Sequence, residues 1–443
     1  MPPVPVVPDS LAALVSLLRP CFTAPTFDTF CWLLVGFASR VNQRTVCGMW
    51  QAARLAGVFH HSRAHGFFAA ARWSPDELGL RLAELLVARL VPAGRPLRFA
   101  LDDTLFHRSG RKVFGACLHH DPHAGAGPRL GFGNSWVVLG LIVRLPCVAR
   151  PLFLPLLFRL YRPSRPGAPR PSRPQLGREL LDLLQARFPQ RRIELLADAA
   201  YACRAFRDLP GDVTLAMRLR RDAALSAPPP PRSGRCGRPR KKGARLPTLA
   251  AAADAPGANW RAARLSRYGR TAAARLLTID CLWYGVLGEQ PVRVVLVREG
   301  KRAEGFDVAL VTTDVSAAPG EIVARYAERW AIEVSFQDAK QVLGVGEARN
   351  RSQQAVLRTV PFGLLCQSLT VAWYARSGEA KEDVRRRRLS APWYRQKRQP
   401  SFADMLVALR REIICAQYTQ GRPRRGRSAE ITHPIPRSAR PAA

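Results

Sequence analysis

The sequence has few acidic residues for its length: 33 Asp and Glu stand against 69 Lys and Arg among 443 residues, which gives a formal net charge of +36. Lysine is scarce too, because only seven of the basic residues are lysine and the rest are arginine. GC-rich coding would raise the arginine count, but it does not explain the shortage of acids. The positive electrostatic field of such a protein attracts polyanions, so the composition indicates nucleic acid or an anionic membrane surface as a partner.

Paired cysteine motifs are missing. Ten cysteines are scattered from Cys21 to Cys415, without a CxxC pair or the Cys/His spacing of a zinc finger. This pattern argues against a zinc ribbon or finger. Scattered thiols in so long a chain also argue against a disulfide framework and favour a reducing compartment, the cytoplasm.

A run long enough to cross a membrane is also missing. The apolar stretch 136–157 is interrupted by Arg144, Arg150 and several prolines, and the stretch 360–375 has only 16 residues. A membrane helix needs about 20. The first twenty residues lack the basic leader and the cleavage site of a signal peptide. Both stretches are predicted to be core, and no membrane partner is expected.

Apolar patterning predicts an α/β protein with helices at both ends. Helical spacing covers the first ninety residues, and short β-biased runs begin at Leu97. A helix at 176–188, a buried strand ending at Asp198 and a further strand follow, which predicts a mixed sheet. A Pro- and Arg-rich stretch precedes more β-like runs. Two helices, at about 321–343 and 353–376, complete the pattern.

Four polar residues in the first of these two helices share a face. Tyr326, Arg329, Glu333 and Lys340 fall within a stripe about 60° wide on an ideal helix. A carboxylate between cations and a phenol suits a metal ligand beside groups that bind phosphate. An amphipathic helix with a solvent-exposed Glu/Arg pair would have the same spacing, so the pattern alone leaves both interpretations open.

Two further acidic positions follow apolar strands. Asp102 and Asp103 end the first predicted strand, and Asp198 ends the fourth. Carboxylates at such positions cost free energy unless they are solvated, paired or bound to metal. If the two strands are neighbours, a helix-borne Glu333 would complete a cluster of oxygen ligands, which favours Mg²⁺ or Mn²⁺ over zinc. Two such ions could activate water or a 3′-hydroxyl and stabilise the leaving oxygen of a phosphodiester.

The spacing Tyr326-x2-Arg329-x3-Glu333-x6-Lys340 resembles the YREK signature of bacterial insertion-sequence transposases of the DDE class. The texts LDDT with RKVFG, ADAAYA and LGVGEARN are similar to that family as well, and the resemblance covers about 97–376. It implies an RNase H-like mixed sheet flanked by helices, with a β-rich insertion and an N-terminal helical domain. The predicted boundaries are 1–94 for an N-terminal helical DNA-binding region, 95–225 for the first part of the catalytic domain, 226–318 for a basic linker and the β-rich insertion, 319–378 for the C-terminal helices of the catalytic domain, and 379–443 for a basic, partly disordered tail.

The resemblance also implies roles for the acids. Asp198 and Glu333 are expected to be the second and third catalytic acids and metal ligands. The first catalytic acid is ambiguous, because Asp102 and Asp103 are adjacent. Adjacent residues on a strand point to opposite faces, so only one of them can be a primary ligand. Asp103, which directly precedes the threonine, is favoured as catalytic residue and ligand, and Asp102 stays open. Tyr326, Arg329 and Lys340 would contact phosphates near the cleaved end.

Other residues are candidates for DNA contact. Trp330 lies close to the polar stripe and either stacks on a base or packs in the core. The segment GRPRKKG resembles an AT-hook, whose Arg-Pro core enters the minor groove, although a phosphate-binding loop accounts for it as well. The candidates in it are Arg238, Arg240, Lys241 and Lys242.

These features predict a cut-and-paste transposase of the bacterial nucleoid. It would bind the terminal inverted repeats of its element, hydrolyse the DNA at each end and join the freed 3′-hydroxyls to target DNA, with two Mg²⁺ or Mn²⁺ ions. Holding two ends together implies a homodimer in the synaptic complex. Two alternatives stay open: an inactive transposase-derived DNA-binding protein, and a metal-dependent nuclease without strand transfer.

Overall fold

A computed structural model describes residues 6–121, 129–231, 239–267, 270–300 and 304–419. The helices of the described chain are α1 (Asp9–Val15), α2 (Ala24–Ser39), α3 (Val46–Ala52), α4 (Ser62–Ala69), α5 (Pro75–Leu90), α6 (Arg173–Arg187), α7 (Leu249–Ala253), α8 (Tyr284–Leu287), α9 (Pro319–Ala327), α10 (Ala331–Gln337), α11 (Gln353–Ser377), α12 (Ala380–Ser390) and α13 (Phe402–Thr419). The strands are β1 (Leu97–His107), β2 (Cys117–His120), β3 (Leu130–Val143), β4 (Leu152–Tyr161), β5 (Ile193–Ala197), β6 (Val213–Arg218), β7 (Arg261–Arg267), β8 (Arg270–Leu282), β9 (Pro291–Glu299) and β10 (Val308–Thr312).

The described strands form one mixed sheet in the order β2-β3-β1-β5-β6-β10-β9-β8-β7, and β4 pairs with β3. Strands β1, β5 and β6 are parallel, while β3 is antiparallel to β1 and β4 is antiparallel to β3. The series β4-β3-β1-β5-β6 therefore has the arrangement of an RNase H-like sheet. The predicted α/β fold with a mixed sheet flanked by helices is confirmed.

The predicted β-rich insertion continues this sheet. Strand β10 pairs with β6, and β9, β8 and β7 follow as antiparallel neighbours. Apolar side chains of these strands, such as Leu276 and Val295, pack with Ile322 and Val323 of α9 in a small core of their own. The insertion thus pairs with strand β6 and packs against helix α9.

Strand β1 is longer than the sequence indicates. The predicted end of the strand at Asp103 is wrong, because β1 keeps its pairing with β3 as far as His107, opposite Gly133. Asp102 and Asp103 therefore lie in the middle of the strand. Strand β4 was not predicted, since β3 and β4 are both buried and read together as one apolar stretch.

Helix α11 forms the centre of the helical layer. By length and composition this one described helix could cross a membrane, yet 94% of its most apolar stretch is buried inside the protein. The N-terminal helices pack on it, as the rings of Phe30 and Phe37 contact Phe362 at 6.0 and 5.8 Å. Arg358 of α11 donates hydrogen bonds to the carbonyl oxygens of Phe68 and Trp73. Residues 9–90 consequently share one hydrophobic core with the sheet.

The single long helix predicted at 321–343 is interrupted. A 3₁₀ turn (Glu328–Trp330) separates α9 from α10, and a π-helical turn (Asp338–Val342) follows α10. In the 3₁₀ turn the side chain of Glu328 lies against Arg98 and Arg144, whereas that of Arg329 lies against Asp102. Such interruptions often occur at functional sites, since they change the direction of successive side chains.

The structure describes the first part of the predicted tail, residues 380–419. Helices α12 and α13 occupy this range, and α13 contributes Phe402, Met405, Leu406, Leu409 and Ile413 to the main core. That spacing is helical, but the many charges around it hide the pattern in the sequence. Residues 420–443 lie outside the described part of the chain.

Candidate active site

Two of the candidate acids are neighbours across the parallel strands β1 and β5. The register pairs Leu101 with Ala197, and the next residues of the two chains are Asp102 and Asp198. Asp198 comes directly after the last residue of β5, as predicted. It is close enough to Asp102 to raise the pKa of that carboxyl. The parallel pairing thus brings two acids together that are far apart in sequence.

Asp102 and Asp103 point to opposite faces of the sheet. The carboxylate of Asp102 accepts a hydrogen bond from Nη1 of Arg329 at 2.7 Å, on the face covered by α9 and α10. Asp103 lies 3.0 Å from Nε of Arg173 in α6, and it accepts hydrogen bonds from Ser135 and Tyr201 at 3.4 and 3.3 Å. Asp102 therefore shares a face with the helical candidates, and Asp103, the residue favoured from the sequence, does not.

Arg329 joins Asp102 to Glu333. Its Nη1 is 2.7 Å from Oδ2 of Asp102, and its Nη2 is 3.0 Å from Oε1 of Glu333. The Arg329 side chain is 12% exposed, while that of Glu333 is 40% exposed. The guanidinium group consequently fills the space between the two carboxylates. Glu333 is more exposed to solvent than Asp102.

The other members of the polar stripe take different places. The ring of Tyr326 lies 5.8 Å from the guanidinium carbon of Arg329, so it borders the acid cluster. Nζ of Lys340 lies 5.4 Å from the ring of Phe106, which is further along β1 on the same strand face as Asp102. Lys340 lies in the π-helical turn, so it departs from the ideal helical stripe and lies further along the strand than Asp102.

Burial and charge shift the pKa values of this cluster. Burial raises the pKa of Asp102 to about 6; Arg329 opposes the shift, and Asp103 and Asp198 add to it. Burial also raises the pKa of Tyr326 to about 12. Burial lowers the pKa of Arg329, but Tyr326 and the surrounding carboxylates raise it by more, so its pKa is above the ordinary value. Arg329 is therefore a permanent cation within this site.

A family model described as DDE superfamily endonuclease matches residues 17–278, more than half of the chain. The chain belongs to this family. The matched range includes Asp102, Asp103 and Asp198 and ends before Glu333. None of the curated proteins compared with the sequence is a significant match. Family membership assigns this DDE endonuclease a nuclease or transposase type of activity on DNA, in a superfamily whose members generally use divalent metal ions.

The donor set of the DDE endonuclease fits hard divalent cations. Asp102, Asp198 and Glu333 carry three negative charges against the single positive charge of Arg329, in a protein with a large positive excess. Within the described residues the Asp198 side chain accepts no hydrogen bond and makes no ion pair. Carboxylate oxygens without histidine or cysteine suit Mg²⁺ or Mn²⁺. Among those same residues no three acids, histidines or cysteines stand close enough to hold an ion, since Arg329 lies between two of the acids.

The remaining candidates for DNA contact are Trp330 and the basic residues of the segment that resembles an AT-hook. Trp330 is 50% exposed. A residue that stacks on a base must be exposed, whereas an aromatic residue of the core would be buried. Lys241 pairs with Glu289, and Nζ of Lys242 lies 5.1 Å from the ring of Tyr284 in α8. Arg240 is exposed. Arg238, the remaining candidate of this segment, is outside the described residues.

Sequence reasoning missed the charged residues behind the acids. Arg98 lies four residues before Asp102, and Glu194 lies four residues before Asp198. Strand alternation places each on the same face as the acid that follows it. That spacing is the one signal that could have found them, because their helical partners, Glu328 for Arg98 and Arg325 for Glu194, lie far away in sequence.

Proposed function

We propose that this DDE endonuclease is a DNA transposase. It cuts phosphodiester bonds at the two ends of a mobile element and transfers the freed 3′-hydroxyls to target DNA. The observation that carries the proposal is the bridge from Asp102 through Arg329 to Glu333, beside Asp198. This bridge joins Asp102, an acid of the family-matched region, to the residues that resemble the YREK signature.

The first acid of the set is proposed to be Asp102. Asp103 was favoured from the sequence, but it faces Arg173 on the other side of the sheet. Asp102, Asp198 and Glu333 are then the residues that hold the divalent ions. When bound, such ions lower the pKa of water or a hydroxyl and stabilise the leaving oxygen of the phosphodiester.

The side chains around the acids are proposed to position the DNA. Arg329 presents a planar set of N–H donors that matches a phosphate group, and its guanidinium can exchange a carboxylate for a phosphate. The phenol of Tyr326 stays protonated at neutral pH, because burial raises its pKa to about 12, so it donates a hydrogen bond. Lys340 is proposed to contact a phosphate, and Trp330, which is 50% exposed, is proposed to stack on a base.

Two DNA ends must be held together for coordinated cutting and joining, so the active species is proposed to be a homodimer. Its partner is double-stranded DNA at the element ends and at the target, in the nucleoid of the cytoplasm. The charge of +36 supports DNA as the partner, since it favours binding to phosphate backbones.

The test supplies the purified protein with Mg²⁺ and a plasmid that carries the two ends of the element. Wild-type protein should nick at the ends and produce joined products, while Glu333→Gln and Asp102→Asn should bind the same DNA without cutting it. Cutting without joining would support a nuclease that lacks strand transfer. Binding without cutting by every form, wild type included, would support an inactive DNA-binding protein.

Asp103→Asn is the matched control for the choice of the first acid. If Asp102 holds the ions, the Asp103 variant keeps measurable cutting and the Asp102 variant loses it. The reverse result would return the role to Asp103.

A further inference from the structure

A layer of buried ion pairs lies behind the acid cluster. We call Arg98, Glu194, Arg325 and Glu328 the ion-pair layer. Arg98 and Glu194 face each other across β1 and β5, four residues before Asp102 and Asp198 respectively. Arg325 and Glu328 come from the end of α9 and from the 3₁₀ turn that leads to Arg329. The layer thus joins the two strands that lead to Asp102 and Asp198 to the turn before α10, the helix that carries Glu333.

The contacts within the layer are short and alternate in charge. Nη2 of Arg98 is 2.8 Å from Oε2 of Glu194, and Nη1 of the same residue is 2.5 Å from Oε2 of Glu328. Nη1 of Arg325 is 3.2 Å from Oε1 of Glu194. Each guanidinium therefore binds a carboxylate of another element, and the pairs cross from the sheet to the helices.

Glu328 is the hub on the helical side. Its two carboxylate oxygens are divided between Arg98 of β1 and Arg144, whose Nη2 lies 2.6 Å away, and its side chain is only 10% exposed. The glutamate of the layer on β5, Glu194, is 6% exposed. A carboxylate buried to this extent is stable only with its cations, so removing one partner leaves an uncompensated charge.

The 3₁₀ turn links Glu328 to the acid cluster. Glu328 and Arg329 are consecutive, and their side chains bind Arg98 and Asp102, two residues on one face of β1. Fixing Glu328 on Arg98 therefore fixes where Arg329 meets the strand, and Arg329 in turn pairs with Glu333, one turn later.

We infer that Glu328 is a positioning residue that holds Arg329 and Glu333 in register with Asp102 and Asp198. This inference rests on the proposed function, since it gives the layer the task of aligning the metal-binding acids. Charged partners behind metal ligands fix the orientation of the ligands, and their loss typically weakens metal binding by about 10- to 100-fold.

The test measures Mn²⁺ binding to the full chain without DNA, by the electron paramagnetic resonance signal of free Mn²⁺, together with the melting temperature. Glu328→Gln should weaken the Mn²⁺ affinity by at least about tenfold. Glu328→Asp keeps the charge and should restore part of it. Binding by Glu328→Gln within about twofold of wild type overturns the inference.

Asp383→Asn is the matched control for general destabilisation. Asp383 is another buried carboxylate with a guanidinium partner, 2.7 Å from Arg411, and it accepts a hydrogen bond from Tyr374 at 2.9 Å. This variant should lower the melting temperature and leave the Mn²⁺ affinity unchanged. An equal loss of affinity in both variants would show that any destabilisation has the same effect, which overturns the inference.

Arg144→Gln decides the question if Glu328→Gln does not fold. The Arg144 side chain is 61% exposed, so its loss should destabilise the protein less. The Mn²⁺ affinity should still fall by roughly threefold. Unchanged affinity would be the contrary result.

Asp102→Asn distinguishes a failure of the proposed function from a failure of this inference alone. If it binds Mn²⁺ like the wild type, the metal site and the proposed function fail together with the inference. If only the Asp102 variant loses binding and the Glu328 variant does not, the inference alone fails.

Discussion

Asp102 lies between the backbone N–H group of Asp103 and the guanidinium of Arg329, and its side chain is 23% exposed. Burial acts against its ionised form, and the neighbouring carboxylates of Asp103 and Asp198 act in the same direction. The ionisation of this single residue therefore limits the range of pH in which the cluster can bind a cation.

Mn²⁺ binding without DNA should weaken as the pH falls through about 6, the pKa to which burial raises Asp102. Below that value a proton competes for the carboxylate, so the affinity should fall by about tenfold for each pH unit. Titrations of free Mn²⁺ between about pH 3 and 8 measure this. Asp102→Asn should bind more weakly and lack the step, and a step near pH 4, where ordinary carboxyls titrate, would contradict the assignment.

In the proposed metal site, Arg329 would compete with the ions for Asp102 and Glu333. Arg329→Gln should raise the Mn²⁺ affinity of the DNA-free protein by roughly fivefold, because one nearby positive charge no longer repels the ion. The same variant should cut DNA poorly, since it lacks the proposed phosphate contact. Arg293→Gln removes the arginine of another Arg–Asp pair, 2.7 Å from Asp280, and should change neither property. Unchanged Mn²⁺ binding in Arg329→Gln would argue against this competition.

At the scale of elements, close backbone contact determines how helix α5 packs on strand β4. A Cβ atom added at Gly79 of α5 would lie 2.0 Å from the carbonyl oxygen of Leu156 in β4, a distance that needs a backbone shift. At Gly66 of α4 an added Cβ would meet no atom within 4 Å. The same substitution therefore has opposite consequences in two helices.

Gly79→Ala should destabilise the protein by about 1–3 kcal/mol, because the overpacking exceeds the helical preference for alanine. Gly66→Ala should stabilise it by about 0.5–1 kcal/mol, since it only restricts the unfolded chain. Urea unfolding followed by circular dichroism measures both. Equal effects of the two substitutions would mean that α5 does not approach β4 so closely.

The sequence predicts those elements whose signal is local. Strand β5 with Asp198 at its end, strand β6 and helices α5, α6 and α11 follow from apolar periodicity and from the residues that end each run. The break between α9 and α10 does not, since Glu328 turns inward only because Arg98 and Arg144 are there. The choice between Asp102 and Asp103 depends on which face of the sheet α9 and α10 cover. The sequence of β1 alone does not indicate that face.

For the whole molecule, the dominant property is positive charge, and DNA binding should depend steeply on salt. The logarithm of the binding constant falls linearly with the logarithm of salt concentration, by about 0.9 for each phosphate contact. Arg240→Gln should lower this slope by about one if the exposed Arg240 contacts a phosphate. Arg385 donates to both oxygens of Glu382 at 2.6 and 2.8 Å, so Arg385→Gln should leave the slope nearly unchanged. Fluorescence anisotropy at several salt concentrations tests both, and equal slopes for Arg240→Gln and the wild type would exclude that contact.

Helix α13, which begins at residue 402, packs in the same core as the N-terminal helix α2, and Arg410 donates hydrogen bonds to the carbonyl oxygens of Ala38 and Arg40. A gene copy with a stop codon before this helix would encode a chain that lacks the core side chains of α13. Its product should misfold and be degraded, so it could not compete for DNA with intact copies. For the transposase proposed above, gene copies truncated in this way would therefore not inhibit transposition by the intact copies.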